Sequence, residues 1–334
     1  MSGEDPLTDN FGRRISYLRL AVTDRCNLRC TYCMPSGGIP WVNKKELLSY
    51  EEMLRLIRLL AGIGIEKLRI TGGEPFARKD LMWMLRAART VPGIEKISIT
   101  TNGVLTLPYL SELKSLGIRH LNLSLDTLNR EKFNRITRRN DHALVMKTFR
   151  ALLEGDFDLK INAVIMEGIN EDDIPDLCRL AAEHPVAVRF IEEMPFNGYS
   201  SAPKKLNWDF RRILGRIQEL YPDLQPEEFD PGQTSVNYLL PGKPGKIGII
   251  AAYSRSFCGS CNRLRITPEG QLRTCLYGHN TLNIKALIRT GESDERIAGA
   301  VRSAVGQRPR DGFEAERLRA AVMPAGESMA GIGG

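Results

Sequence analysis

Cys26, Cys30 and Cys33 fall within the eight-residue run Cys26-Asn-Leu-Arg-Cys30-Thr-Tyr-Cys33. Three thiolates at that spacing suit three irons of a [4Fe–4S] cube and leave the fourth iron without a protein ligand, able to chelate a small molecule. A zinc knuckle ordinarily uses paired C-x-x-C spacing with a fourth Cys or His close by, which this run lacks. A second trio, Cys258, Cys261 and Cys275, repeats the pattern of three thiolates and an open iron. Here His279, four residues past Cys275, keeps a Cys3His zinc site open as an alternative. The seventh cysteine, Cys178, lies alone in a helical pattern and reads as a small buried apolar residue. An odd count in tight clusters argues for metal ligation over a disulfide framework.

A further motif is Thr71-Gly72-Gly73-Glu74-Pro75. Its glycines let backbone approach a ligand closely, and its carboxylate can meet an ammonium group. Thr101-Asn102-Gly103, Ser124, Asp126 and Glu192-Glu193-Met194 fall at the ends of later strand-like runs. Convergence on the carboxyl-end rim of parallel strands is what a cofactor site in a strand–helix repeat requires.

The elements that must position these residues are legible as alternation. Six strand-like runs, Tyr17–Thr23, Lys67–Thr71, Lys96–Thr101, His120–Leu125, Lys160–Met166 and Ala187–Ile191, mostly alternate with amphipathic stretches such as Glu51–Leu60, Asp80–Ala88 and Asp173–Ala182. That order predicts a parallel sheet, and six right-handed units can curl into a partial (β/α)6 TIM-like barrel. One face of the runs is apolar, as in Leu18/Leu20/Val22 and Leu121/Leu123/Leu125. The other carries Arg19, Arg69, Ser98, Thr100, Asn122, Ser124, Lys160, Asn162 and Arg189, which predicts a wide, wet, cationic cavity in place of an apolar barrel core.

The repeat is expected to stop after Ile191, giving a barrel over residues 1–195 and an α+β region over 196–334. That region holds a helix near Trp208–Leu220, strands at Ser235–Leu240 and Lys246–Tyr253, a hairpin over Arg263–Cys275 turning at Pro268-Glu-Gly, helices near Leu282–Ile288 and Asp294–Ala304, and an Arg- and Gly-rich tail.

At 334 residues and 42% apolar composition the chain can bury a sizeable core. No segment approaches the roughly 20 apolar residues of a membrane span, and the opening residues lack an export signal, so a soluble cytoplasmic protein is expected. The net charge of +7 comes without a basic run interleaved with aromatics, so nucleic acid is not an expected partner, nor is a membrane. Monomer and homodimer both remain open.

The CxxxCxxC spacing with Tyr32 before the last cysteine, together with Gly-Gly-Glu-Pro, resembles the signature of the radical S-adenosylmethionine (SAM) superfamily. Phe257-Cys-Gly-Ser-Cys-Asn-Arg263-Leu-Arg265 resembles the C-terminal motif of the GTP 3′,8-cyclases of molybdenum-cofactor biosynthesis (the MoaA-type enzymes), and this resemblance runs from Tyr17-Leu-Arg-Leu to Ile332-Gly333-Gly334. It implies two [4Fe–4S] clusters, on Cys26, Cys30 and Cys33 and on Cys258, Cys261 and Cys275. It implies SAM contacts at Tyr32, Gly72, Gly73, Glu74, Asn102, Ser124 and Met194. GTP contacts would fall at Arg19, Arg69, Thr100, Lys160, Arg189, Arg263 and Arg265, with Arg19, Arg263, Arg265, Gly333 and Gly334 serving the reaction. The implied lyase chemistry is reductive cleavage of SAM, hydrogen abstraction from C3′ of GTP by a 5′-deoxyadenosyl radical, and closure onto C8 to give 3′,8-cyclo-7,8-dihydroguanosine triphosphate, with the second cluster anchoring the purine. A low-potential electron donor and, downstream, cyclic pyranopterin monophosphate synthase are the implied partners. Two other readings are weighed: a radical SAM enzyme acting on a peptide or porphyrin, disfavoured by the inward cations, and a non-enzymatic iron–sulfur or zinc scaffold, which would need neither Gly-Gly-Glu-Pro nor a polar barrel lining.

Overall fold

The computed structural model describes residues 6–194, 206–228, 232–320 and 328–333. By contact, the chain forms two compact units that interleave along the sequence: one comprises residues 1–27, 39–99 and 258–334, the other 28–38 and 100–257.

The first unit begins with β1 (Tyr17–Ala21), α1 (Tyr50–Gly62), β2 (Lys67–Thr71), α2 (Leu81–Arg89) and most of β3 (Lys96–Thr101). Helix α1 opens on a capping box: Ser49 accepts from the Glu52 N–H while the Glu52 carboxylate accepts from the Ser49 N–H. Two orphan donors of the first turn are thereby satisfied reciprocally.

The second unit contains β4 (His120–Ser124), β5 (Asp158–Ile165), β6 (Ala187–Glu192), β7 (Gln225–Pro226), β8 (Val236–Leu239) and β9 (Lys246–Ile250). Its helices are α3 (Leu110–Ser115), α4 (Arg130–Thr137), α5 (His142–Glu154), α6 (Ile174–Glu183) and α7 (Phe210–Leu220). Strands β4, β5, β6 and β9 run parallel in that spatial order, and β8 returns antiparallel against β9.

The chain re-enters the first unit with β10 (Arg263–Ile266), β11 (Gln271–Arg273), β12 (Leu282–Asn283), α8 (Ile284–Arg289), α9 (Asp294–Gly306), α10 (Gly312–Ala320) and α11 (Met329–Ile332). Strand β10 pairs parallel with β1, and β11 folds back antiparallel on β10. The turn between them is the one read at Pro268-Glu-Gly: Gly270 has φ +76° and its N–H donates to Thr267 O.

The six expected strands are present, β2 and β3 with the expected ends and the others with ends shifted by one or two residues. The parallel pairing does not stop at Ile191, however. Two strands assigned from sequence to a separate C-terminal region, β9 and β10, extend it in their respective units. Parallel pairing between segments about 60 residues apart (β6 and β9) or about 250 apart (β1 and β10) leaves no local mark in sequence, because alternation reports burial and not the neighbour.

The apolar rows face the core as expected: Leu18, Leu20, Leu68, Ile70 and Ile99 in the first unit, and Leu121, Leu123, Ile161, Ala163 and Ile165 in the second, are all buried. Phe190 on β6 is among the largest side chains with no solvent access. Phe190→Ala is expected to cost about 3–5 kcal/mol of stability through lost transfer energy and the cavity left behind; anaerobic urea unfolding showing a loss under about 1 kcal/mol would contradict this packing.

Candidate functional site

In the first unit, strand register builds a charged row. Arg265 is paired with Arg19, Arg19 with Arg69, and on the far side Arg265 with Arg273. Four arginines therefore stand side by side across β11, β10, β1 and β2, with Arg263 and Tyr17 two residues back on the same face. The Nε of Arg19 is buried without a hydrogen-bond partner. Burial, followed by the nearby charges of Arg265 and Arg69, pulls the Arg19 pKa well below the ordinary guanidinium value, and no carboxylate is among the leading influences. Burial and Arg263 likewise bring Arg265 down to about 10. Burial alone would raise the phenol of Tyr17, but Arg69, which hydrogen-bonds it, and Arg19 outweigh burial and bring it to about 8. Cations crowded in this way call for an anionic ligand.

Gly333 docks on the same row. Its carbonyl accepts from Nη1 of Arg265 at 2.5 Å. With φ at +76° and the place of a Cβ lying 2.8 Å from the Ala21 side chain, only glycine is comfortable here. Gly334 lies outside the described residues.

The second cysteine trio adjoins this row, since Cys261 and Cys275 both act on Arg265. Burial raises Cys258 and Cys275. Cys261 behaves oppositely: Arg263 and Arg308 overcome burial and bring its thiol down to about 6. Backbone N–H groups are directed at the other two sulfurs, from Gly312 to Cys258 and from Tyr277 and Gly278 to Cys275. Sulfurs served by donors are suited to the thiolate form that binds iron, so the donor set fits a cluster. Among the described residues no three His, Cys, Asp or Glu side chains are grouped so as to hold one metal ion; a four-iron cube takes each thiolate on a different iron and does not require that convergence.

The Gly-Gly-Glu-Pro loop has a structural role that the sequence reading did not foresee. A Cβ on Gly72 would stand 2.4 Å from Thr23 O, and one on Gly73 2.4 Å from Arg25 O. The loop thus lies directly against residues 23–25, which lead into Cys26, and the N–H groups of Gly73 and Glu74 donate to Thr23 O and Arg25 O. Glu74 is fully buried, and its Oε1 accepts from the Phe76 N–H.

In the second unit the turn carrying Cys30 and Cys33 is anchored on α4. The Arg29 and Thr31 N–H groups donate to Thr137 O and Ile136 O, and Nη1 of Arg138 donates to both Arg29 O and Met34 O, at 3.0 Å each. Arg138, at φ +54°, thereby holds both ends of the turn. The hydroxyl of Tyr32 donates to Oδ2 of Asp126 at 3.0 Å, and Oδ1 of Asp126 accepts from the Val164 N–H. Burial pushes Asp126 up to about 6, and burial with Asp126 and the two cysteines raises Tyr32.

Ser124 pairs in register with Asn162, whose Oδ1 is buried without a partner, and Asn162 pairs with Arg189. Such an acceptor would be satisfied by a polar ligand at the ends of these strands. Asn102 accepts from the Val104 N–H, Thr100 is the penultimate residue of β3, and Met194 follows β6. Glu192 is a latch: its carboxylate accepts from the Phe210 N–H and from both N–H and Oγ of Ser254. Lys160 donates to Asp158, which also bonds His120. The sequence analysis did not single out Asp158, Tyr17, Arg273, Arg138 or Arg308. Arg273 and Tyr17 were detectable from alternation alone, as inward positions flanking those already chosen.

Comparison with known proteins agrees with this arrangement. The family model of the radical SAM superfamily matches residues 20–181, and that of Molybdenum Cofactor Synthesis C matches residues 186–313. The solved structures of Streptococcus suis SuiB bound to S-adenosylmethionine (TM-score 0.58, 19% identity, 89% of this chain and 68% of that one) and of anSMEcpe with bound AdoMet (TM-score 0.58, 14% identity, 91% and 83%) share the fold. Fold and motifs define a radical SAM enzyme of mixed α/β architecture with parallel strands, in keeping with the partial barrel expected. The GTP 3′,8-cyclase of Moorella thermoacetica is 41% identical over 91% of this chain and 94% of its own length, and the mitochondrial GTP 3′,8-cyclase of Arabidopsis thaliana is 38% identical over 90% and 77%. The chain belongs to the GTP 3′,8-cyclase family. It spans about half of the human relative, molybdenum cofactor biosynthesis protein 1, at 39% identity and 48% of that protein's length. Among the described residues no helix is long and apolar enough to cross a membrane.

The raised pKa of Asp126 fixes a direction of pH dependence. A carboxyl near 6 when folded and 3.8 when unfolded holds its proton more tightly in the folded chain. Its contribution is therefore full below about pH 4 and is lost as pH rises through 6. Asp126→Asn keeps an acceptor but cannot ionise. Between about pH 4 and 6.5 the metal-free wild-type chain should lose on the order of 1–3 kcal/mol relative to Asp126→Asn in urea unfolding. Parallel pH profiles would show that Asp126 is not the buried acid described.

Proposed function

We propose that the chain converts GTP to 3′,8-cyclo-7,8-dihydroguanosine triphosphate, binding the nucleotide through Arg19, Arg69, Thr100, Lys160, Arg189, Arg263 and Arg265. The observation that carries this reading is the in-register row Arg273, Arg265, Arg19 and Arg69 beside the second cysteine trio. A triphosphate supplies about four negative charges, and each charged hydrogen bond to it contributes about 1.5–3 kcal/mol. Residues Cys26, Cys30 and Cys33 would hold a [4Fe–4S] cluster, and Tyr32, Gly72, Gly73, Glu74, Asn102, Ser124 and Met194 would line the SAM site. For Gly72, Gly73 and Glu74 the contribution is through backbone shape, given how the loop packs. With SAM bound, the cofactors supply a 5′-deoxyadenosyl radical able to take hydrogen from C3′ of the nucleotide. The chain's own residues position that carbon, exclude water and neutralise the phosphates.

A second [4Fe–4S] cluster on Cys258, Cys261 and Cys275 would anchor the purine, and Gly333 with Gly334 would close the site over Arg265. The functional division follows residues 1–195 and 196–334. A low-potential electron donor, hand-over of product to cyclic pyranopterin monophosphate synthase, and a cytoplasmic location complete the reading.

Four outcomes are expected of anaerobic protein reconstituted with iron and sulfide. About eight irons should bind per chain, as two four-iron clusters require, with zinc at the C-terminal site counting against the second. GTP alone among nucleoside triphosphates should stimulate 5′-deoxyadenosine release; indifference to GTP would reject the substrate. Arg265→Ala should bind GTP about 10- to 100-fold more weakly with its iron unchanged, and iron loss would recast Arg265 as a support of the β10–β11 hairpin. Deleting Gly333 and Gly334 should abolish cyclisation while SAM is still cleaved, and full cyclase activity in that chain would remove the tail from the site.

A further inference from the structure

Beside the second cysteine trio lies a second buried cationic group that neither the motifs nor the resemblance singled out. Arg308 follows α9, and its side chain is only 3% exposed. Its Nη2 donates to Sγ of Cys261 at 2.9 Å and its Nη1 to Cys261 O at 2.8 Å. Nη1 also stands 3.7 Å from Oδ2 of Asp9, whose side chain has no solvent access. The same Oδ2 accepts from Nε of Arg13 at 2.6 Å, and Oδ1 accepts from the N–H groups of Phe11 and Arg13. Arg13 in turn donates to Cys258 O at 2.9 Å, Arg310 O at 2.7 Å and Pro309 O at 3.0 Å. One buried carboxylate therefore lies between two guanidinium groups, and each guanidinium braces one end of the Cys258–Cys261 turn.

A guanidinium fork ordinarily meets a carboxylate or a phosphate. Here one is buried with its fork directed at a sulfur and at the same residue's carbonyl. Burying a cation against a neutral thiol carries a desolvation cost with little return; against a ligand thiolate it gains a charge-assisted hydrogen bond. One-electron reduction adds negative charge to an iron–sulfur cluster, and a cationic donor to a ligand sulfur favours the reduced form.

We propose that Arg308, held by Asp9 and Arg13, is a positioning residue of the second iron–sulfur site: it fixes the Cys261 sulfur by a charge-assisted hydrogen bond and raises the reduction potential of the cluster bound there. The proposal rests on the reading of Cys258, Cys261 and Cys275 as cluster ligands. Arg308 acts through Cys261 and does not belong to the arginine row assigned to the nucleotide.

The test uses the full chain carrying Cys26→Ser, Cys30→Ser and Cys33→Ser, so that any remaining cluster occupies the second site. In this parent, iron content is measured and the midpoint potential is followed by the electron paramagnetic resonance signal of the reduced cluster. Arg308→Met should retain about four irons and titrate at a lower potential with a changed signal. Arg308→Lys, which restores a cationic donor, should recover part of the shift. If Arg308→Met loses its iron, Arg308→Gln, which keeps an N–H donor without the charge, takes its place and should also titrate below the parent. A variant retaining its iron at the parent's potential overturns the proposal while the cluster reading stands. A parent that binds zinc, or no iron, overturns the cluster reading itself.

Discussion

The constraint on which the rest depends is that like charges are aligned side by side on a sheet. Parallel register gives a row no freedom: once Tyr17 pairs with Lys67 and Arg263, Arg19 must face Arg69 and Arg265. Exposed arginines would be screened by water and salt. Here partial burial withholds that screening, and Arg19 and Arg265 are pushed toward losing their protons. The arrangement persists because the hydrophobic rows one residue out of phase, Leu18 with Leu68 and Leu264, hold the strands together whatever the charges prefer. The fold is thus kept in a state that a polyanion relieves, and ligand binding draws on repulsion already present in the folded chain.

Much of this was legible in the sequence because it depends on period and spacing. Alternation placed Arg19, Arg69 and Lys160 on the inward face and Leu18, Leu121 and Ile161 on the core face, since a two-residue period is a local property of a strand. Cysteine spacing marked both trios for the same reason. What was not legible depends on partners distant in the chain. The pairing of β10 with β1, the brace from Arg308 to Cys261 and the carboxylate of Asp9 between two arginines join segments separated by up to about three hundred residues, and no window of sequence contains both ends. Gly72 and Gly73 show an intermediate case. The need for glycine was visible, but its cause was taken to be a ligand, whereas the nearest obstacle to a side chain is the backbone of Thr23 and Arg25.

The two cysteine trios are held by different means. Cys30 and Cys33 sit on a turn fixed by the end of α4 and by Arg138, which binds backbone carbonyls at both ends of the turn. Cys261 is gripped at the sulfur itself.

The pairing of β10 with β1 also bears on how the molecule is made. Tyr17 finds its partner Arg263 only after more than two hundred intervening residues, so the strand that opens the sheet is exposed along one edge throughout most of synthesis. The second unit can complete its β4, β5, β6 and β9 pairing from a continuous stretch, but the first must wait for the return of the chain. Long-range closure of this kind is slow, and an unpaired strand rich in apolar residues invites the wrong neighbour. The charged face of β1, with Arg19 projecting from it, disfavours such encounters, so the residue assigned to the nucleotide in the finished protein also guards the nascent edge.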